Sequence, residues 1–245
     1  VFGSGISGIA ASRLLLREGA DVILYDGNEK LDAETIKENI LHDEEHGVTL
    51  SGDVKVILGK LSKEVMESLV LTVMSPGVPT DLEVVNQMRE MGIPIWGEIE
   101  LAYVYGKGEV LAITGTNGKT TTTTLLGEIM KKYQEHVYVV GNIGNPYTEV
   151  ALDMTEDSVA VAEMSSFQLE TIHTFRPKVS AILNITPEKL INDLETMGLY
   201  FEALCERDLK IYAESIGAKL YHYRENDTGV EVDAIVELSD GEYGA

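Results

Sequence analysis

Ala112-Ile113-Thr114-Gly115-Thr116-Asn117-Gly118-Lys119-Thr120-Thr121 is the stretch on which the reading of this chain turns. It follows the apolar run Glu109-Val110-Leu111-Ala112-Ile113 and leads into Thr122-Thr123-Thr124-Leu125-Leu126-Gly127-Glu128-Ile129-Met130, whose apolar residues recur at helical spacing. The context is strand, glycine loop, helix. In such a loop the glycines let successive backbone N–H groups turn around a polyphosphate, and the helix N-terminus adds partial positive charge. Lys119 is placed to neutralise the outer phosphates, and the Thr120 hydroxyl to sit on a bound Mg²⁺. Only Thr116 and Asn117 separate Gly115 from Gly118, where the general P-loop pattern has four residues. A nucleotide triphosphate, ATP or a close relative, is the expected ligand of residues 115–121.

Upstream, Val1-Phe2-Gly3-Ser4-Gly5-Ile6-Ser7-Gly8 combines a strand remnant with a G-x-G-x-x-G turn that opens a helix through Leu14, Leu15 and Leu16. A second strand, Asp21-Val22-Ile23-Leu24-Tyr25, ends at Asp26. This predicts the opening βαβ of a Rossmann-like unit: Gly3 and Gly5 permit the tight turn, Gly8 lets the helix pack, and Asp26 holds a sugar hydroxyl. NAD or FAD is the reflex assignment. However, no second mononucleotide half follows before the P-loop, so a small unit that binds a nucleotide-linked substrate fits the length better.

Composition sets the outer limits. A chain of 245 residues, 44% hydrophobic and 24% charged, suits one large or two ordinary soluble domains. Its net charge of −22 and pI near 4.5 exclude general affinity for nucleic acid or an anionic membrane surface, because a phosphate-tracking face must be basic. One cysteine, Cys205, rules out an internal disulfide framework and reads as a small apolar filler in a reducing compartment. No apolar run reaches the length of a membrane span, and the first residues carry no signal-peptide pattern. A cytoplasmic monomer is expected, with further chain before Val1, which already lies in a strand.

Between these landmarks, His42 and His46 stand one helical turn apart among Asp43, Glu44 and Glu45; they read as a solvated charged helix rather than a metal site. Leu69-Val70-Leu71-Thr72-Val73-Met74 reads as a buried strand whose Ser75-Pro76-Gly77 turn is either a plain turn or a second ligand loop at the edge used by Gly3. A helix is expected over 82–91 and a hinge over 103–108, which divides the chain into residues 1–105 and 106–245. Past the P-loop helix, Val137-Tyr138-Val139-Val140 runs into Gly141-Asn142. Ser158-Val159-Ala160-Val161-Ala162 delivers Glu163, where a P-loop protein keeps its Mg²⁺-binding acid. Val179-Ser180-Ala181-Ile182-Leu183 reads as a further buried strand, and residues 230–245 as an acidic tail without a folded unit.

The segments Gly3-Ser4-Gly5-Ile6-Ser7-Gly8, Ser75-Pro76-Gly77, Gly97-Glu98-Ile99-Glu100-Leu101, Gly115-Thr116-Asn117-Gly118-Lys119-Thr120, Gly141-Asn142-Ile143-Gly144, Glu163-Met164-Ser165-Ser166-Phe167-Gln168-Leu169-Glu170 and Ile182-Leu183-Asn184-Ile185-Thr186-Pro187 stand in this order. In this the chain resembles the Mur ligases, nearest the branch that joins D-glutamate to UDP-N-acetylmuramoyl-L-alanine. The resemblance implies an α/β chain: a Rossmann-like UDP-binding domain followed by a shortened P-loop central domain. It also implies a step of peptidoglycan synthesis in which ATP, with Mg²⁺, activates the muramoyl-alanine carboxylate as an acyl phosphate for attack by D-glutamate. By similarity Ile6, Ser7, Asp26 and Gly77 border the uridine diphosphate, and Asn142, Ser165 and Gln168 line the muramoyl side. Lys119 and Glu163 would be catalytic, with Thr120 and Glu163 on the metal.

The likeness is dense to about Pro187 and then breaks. The family carries an Asp-His pair after Asn-x-Thr-Pro, whose histidine helps hold a second Mg²⁺; here Glu188 and Lys189 stand there, and a protonated ammonium repels a metal. The family's carbamylated lysine has no counterpart in Tyr200 to Cys205. Residues 209–223, with a helix over 211–216 and a strand over 219–223, resemble the late central domain as if a segment were deleted, and the family's C-terminal, D-glutamate-binding domain has no counterpart. Two readings follow: a ligase of impaired activity, or a non-catalytic module that binds a nucleotide or UDP-sugar. An unrelated P-loop ATPase is a third, weaker reading.

Overall fold

The structure, a computed structural model, describes residues 1–43, 47–50, 52–142, 145–185, 213, 217–224, 231–237 and 243–244. Val1–Asn184 form one compact unit and Ile185–Ala245 another.

The first unit begins with a parallel sheet centred on Phe2, which bridges β1 (Val22–Asp26) on one side and β5 (Thr72–Met74) on the other. Beyond β1 lies β4 (Val54–Leu58), and beyond β5 lies β6 (Ile95–Gly97), all parallel. The order β4, β1, Phe2, β5, β6 reverses direction at Phe2. This is the switch point of a doubly wound fold, where loops at the carboxyl ends part to admit a ligand. The two loops that leave it, after Gly3 and after Met74, therefore lie side by side, and Ser75 Oγ donates to the Gly3 carbonyl at 3.4 Å. Helix α1 (Ile6–Arg17) follows at once because Gly8 has no side chain: a Cβ there would stand 1.8 Å from the Gly3 carbonyl oxygen. Helix α2 (Ala33–Leu41) is capped by Asp32, α3 (Lys63–Glu67) by Ser62, and α4 spans Glu83–Glu90.

The charged helix expected through His42 ends at Leu41. His42–Asp43 is instead a short strand, β2, paired antiparallel with β3 (Val48–Thr49). Arg13 and Arg17 draw Asp43 down to α1, where it is buried. His46 lies outside the described residues, among which no cluster of three potential metal ligands occurs.

A second parallel sheet has the order β10, β7, β9, β8: Val179–Ile182, Glu109–Thr114, Val159–Glu163 and Val137–Gly141. Strand β9 is buried at every position, as its run of small and β-branched residues requires of a strand covered on both faces. Strand β10, expected to be buried, is an edge strand among the described residues, with Val179 58% and Ile182 41% exposed. Helix α6 (Lys119–Met130) follows β7, α7 (Tyr147–Val150) follows β8, and α8 (Ser166–Leu169) follows β9. Each lies in sequence between two parallel strands of this sheet.

One core runs from the first sheet to the second through Leu14 of α1, Val73 of β5, Tyr147 of α7, Ala162 of β9 and α5 (Glu98–Tyr105), which gives Ile99, Leu101 and Ala102. Residues 103–105, expected in a hinge, are instead the last turn of α5. Tyr103 packs edge-on against Phe175 with ring centroids 5.2 Å apart, and that contact outweighs the breaker signal of Gly106 and Gly108.

In the second unit, β11 (Lys219–Arg224) pairs antiparallel with β12 (Glu231–Glu237), which pairs with β13 (Tyr243–Gly244). The expected strand over 219–223 is present. The acidic tail, expected to lack a folded unit, supplies the other two strands, with Glu231, Asp233 and Glu237 interspersed among Val232, Ile235 and Val236. The expected helix over 211–216, and Glu188, Lys189 and Cys205, lie outside the described residues.

Candidate nucleotide and substrate site

The carboxyl ends of β7, β9 and β8 finish level, with Ile113 and Gly141 both in register with Glu163. Gly115 (φ +138°) and Gly118 (φ +82°) turn the chain between β7 and α6 in left-handed conformations that only glycine takes without strain. Gly118 is the N-cap of α6 and has no side chain to cap it; its carbonyl accepts the Thr122 N–H. The N–H groups of Lys119, Thr120 and Thr121 thus open the helix without intrahelical partners, an anion-binding mouth.

Glu163 is 1% exposed. Its Oε2 accepts from Thr120 Oγ1 at 2.9 Å and its Oε1 from Asn142 Nδ2 at 3.2 Å, so both oxygens are met by neutral donors. A buried carboxylate held in this way is costly unless a cation joins it. Gly141 makes the approach of Asn142 possible: at φ +101° a Cβ would lie 2.2 Å from the Glu163 carbonyl oxygen, which accepts the Asn142 N–H. Lys119 folds back over the loop, its Nζ donating to the carbonyls of Gly115 at 2.8 Å and Thr116 at 3.3 Å. Thr116 and Asn117 turn their N–H groups outward to Asn184, away from the loop's interior. Asn184 is a site residue that sequence reasoning misses; the strand-end Asn-x-Thr-Pro is the signal that points to it.

At the first sheet, Asp26 Oδ2 accepts from Ser4 N at 3.0 Å and Ser4 Oγ at 2.6 Å, and Oδ1 accepts from Asn28 N at 3.0 Å. Burial pushes this carboxyl up, but the Ser4 and Asn28 hydrogen bonds outweigh burial and hold it below the usual carboxylate range. Asp26 therefore fastens the glycine loop itself. Ile6 stands 77% exposed at the head of α1, Ser7 follows it partly buried, and Gly77 lies exposed in the neighbouring loop. Ser165 and Gln168 cap α8 reciprocally: Ser165 Oγ accepts from Gln168 N, and Gln168 Oε1 accepts from Ser165 N at 2.8 Å.

The structure thus brings Lys119, Thr120, Asn142 and Glu163 into one group, and Ser4, Asp26 and the turn at Gly77 to the edge of the other sheet. A cavity of about 530 Å³ between α1, α2 and the start of α7 is lined by Ile6, Arg13, His42, Asn145 and Glu149. Of the residues expected in the site it includes only Ile6.

Residues 1–97 match the family described as Mur ligase MurD-like, N-terminal domain, and residues 113–206 match the Mur ligase middle domain. The chain is 57% identical over 203 residues to a UDP-N-acetylmuramoylalanine–D-glutamate ligase of Lachnoclostridium phytofermentans, covering 83% of this chain and 43% of that protein. It is 40% identical over 265 residues to a protein of the same name from Alkaliphilus oremlandii, covering 98% and 56%. The chain thus spans about half the length of the relatives it matches. A solved murein peptide ligase of Psychrobacter arcticus is 16% identical with a TM-score of 0.47, over 78% of this chain and 43% of that one. With both Mur ligase domains in order along its length, the chain belongs to the Mur ligase family.

Proposed function

We propose that the chain binds ATP at residues 115–121 and UDP-N-acetylmuramoyl-L-alanine across the two sheet edges, for a cytoplasmic ligase reaction of peptidoglycan precursor synthesis that adds D-glutamate. Residues 1–105 are the UDP-substrate half and residues 106–245 the ATP half. The observation that carries the reading is the buried Glu163 carboxylate, bonded to Thr120 at the mouth of α6 and to Asn142 on the substrate side.

The residues present fit Mg²⁺ and a triphosphate. Mg²⁺ favours oxygen ligands from one or two protein groups completed by phosphate and water, and the Thr120 hydroxyl with Glu163 is such a pair. Bound there, the ion would neutralise charge developing on the transferred phosphoryl group. The chain's own part is electrostatic and positional. The N–H groups of residues 119–121 face the phosphates, and Lys119 exchanges two carbonyl acceptors for phosphate oxygens. Asn142, with the α8 cap that Ser165 and Gln168 lock, orients the muramoyl arm so that its carboxylate meets the γ-phosphorus in line. The transfer breaks the bond between the β- and γ-phosphates and releases ADP; the acyl phosphate so formed is open to an amine, which gives up a proton as the amide forms and phosphate leaves.

Calorimetry tests both halves separately. Titration with Mg-ATP should give binding that Lys119→Ala abolishes. Titration with UDP-N-acetylmuramoyl-L-alanine should give binding that Asp26→Ala weakens, through the loosened Ser4 loop. No heat with the UDP-linked compound, at concentrations where Mg-ATP binds, would overturn the substrate assignment.

A further inference from the structure

The Gly97-Glu98-Ile99-Glu100-Leu101 segment carries two buried acids that the proposed chemistry does not use. Glu98, 2% exposed, sends Oε1 to Thr148 N at 2.7 Å and Thr148 Oγ1 at 2.8 Å, at the head of α7. Its Oε2 is buried and has no hydrogen-bond partner among the described residues. Gln168, 3% exposed, spends its Oε1 on the cap of α8, and its Nε2 is likewise buried and without a partner among the described residues. Both side chains line one small cavity of about 10 Å³, together with Ser75, Pro76, Phe167 and Thr171. A space of that size holds a single water, and a buried water needs two to four polar neighbours. The approach is close because Gly97 donates its N–H to the Thr171 carbonyl at 3.0 Å, and a Cβ on Gly97 would meet Thr171 Oγ1 at 2.3 Å.

We propose that Glu98 is a positioning residue that binds one water jointly with Gln168, and through that water and Thr148 fixes both loops on the substrate side of the site. The chemistry of the cavity is complementary. A protonated Oε2 and the Gln168 amide each donate to the water oxygen, and the water donates its two hydrogens to the Ser75 and Thr171 hydroxyls. Burial pushes the Glu98 carboxyl up, against the hydrogen bonds from Thr148, and so favours the protonated form that donates to the water. Thr148 lies six residues after Asn142, and Gln168 locks the cap of α8 beside Ser165, so one side chain of α5 governs the placement of both loops. As an effect on ligand binding this rests on the proposed ligase reading; as a hydration site it does not.

The test uses the whole chain, labelled with ¹⁵N, with the Gln168 side-chain amide identified by its loss in Gln168→Leu. The wild type should show a cross-peak between that amide and a long-lived water. Glu98→Ala should abolish it, and Glu98→Gln, which keeps an acceptor for Thr148 and a donor for the water, should retain it. In calorimetry, Glu98→Ala should weaken UDP-N-acetylmuramoyl-L-alanine about tenfold, the worth of a lost buried hydrogen-bond linkage. Mg-ATP affinity should hold, and Glu98→Gln should stay near wild type for both ligands. No water cross-peak in the wild type, a cross-peak that survives Glu98→Ala, or an equal loss for both ligands overturns the proposal. If the water behaves as expected and the wild type binds no UDP-linked compound, the positioning stands and the ligase reading fails.

Discussion

Asn117 and Asn184 hold each other reciprocally: the Asn117 N–H donates to Asn184 Oδ1 at 2.8 Å, and Asn184 Nδ2 donates to the Asn117 carbonyl at 2.8 Å. The Asn184 carbonyl also accepts the Thr116 N–H at 2.9 Å. The end of β10 thereby clamps the outer limb of the glycine loop and leaves its inner limb, residues 118–121, to the ligand. Asn184→Ala removes two of these three bonds. Each is worth about 1 kcal/mol, so Mg-ATP affinity should fall by up to about thirtyfold with little change in Tm. Calorimetry of the variant reads this directly, and an unaltered affinity would show that the loop needs no clamp.

Glu163→Gln separates the metal from the fold. The amide keeps neutral contacts with Thr120 and Asn142 but cannot supply a carboxylate, so the variant should melt no lower than wild type. Its nucleotide affinity should become the same in Mg²⁺ as in EDTA. A Mg²⁺ dependence that survives would place the ion elsewhere.

Gly8→Ala should be severe. The new Cβ would sit 1.8 Å from the Gly3 carbonyl oxygen, and Gly3, at φ +102°, is itself packed on Ser75 and cannot retreat. Overpacking of this kind costs about 3 kcal/mol or more, which thermal denaturation would register as a drop of many degrees. Gly5→Ala, where nothing stands within 4 Å of the added carbon, is the matched control and should melt near wild type.

Glu98 and Glu100 should give opposite pH responses. Burial opposes ionisation of Glu100, but hydrogen bonds from the His173, Thr174 and Phe175 N–H groups and the Thr174 hydroxyl outweigh it and hold the carboxyl below its ordinary value. Its contribution to stability is present above the unfolded carboxylate pKa and is lost as pH falls through the folded value. Glu98 is raised, so the folded state favours its protonated form. Its contribution is complete below the unfolded pKa and is lost as pH rises through the folded value. The neighbouring Tyr147 phenol is also pushed up, by burial and by Glu98 and Tyr103, and stays neutral across this range. Denaturant titrations should therefore show Glu100→Gln least stable relative to wild type at neutral pH and nearly equal to it in acid. For Glu98→Gln the curve should flatten, gaining on wild type as pH rises.

The elements legible in the sequence were those with strong local periodicity: α1, α4, the five mostly apolar strands around the two glycine loops, and Glu163, betrayed by its place at the end of β9. What escaped was set by contacts distant along the chain. Asp43 left the expected helix because Arg13 and Arg17 reach it from α1. Residues 103–105 joined α5 because Phe175 covers Tyr103. The outward turn of Thr116 and Asn117 depends on an asparagine 67 residues later. The tail joined β11 through a few apolar residues that Glu231, Asp233 and Glu237 mask in composition.

Phe2 occupies the middle of the first sheet, with Tyr25 on one flank and Met74 on the other. As the chain leaves the ribosome, β1 and β4 can add to the first flank early, but the second stays an unpaired edge until β5 emerges. Such an edge is a template for stray pairing, and closing a parallel neighbour over so long a loop is slow. Between synthesis of β4 and of β5 the nascent chain therefore carries an open edge in the middle of its first sheet, which a chaperone covering it would protect from stray pairing.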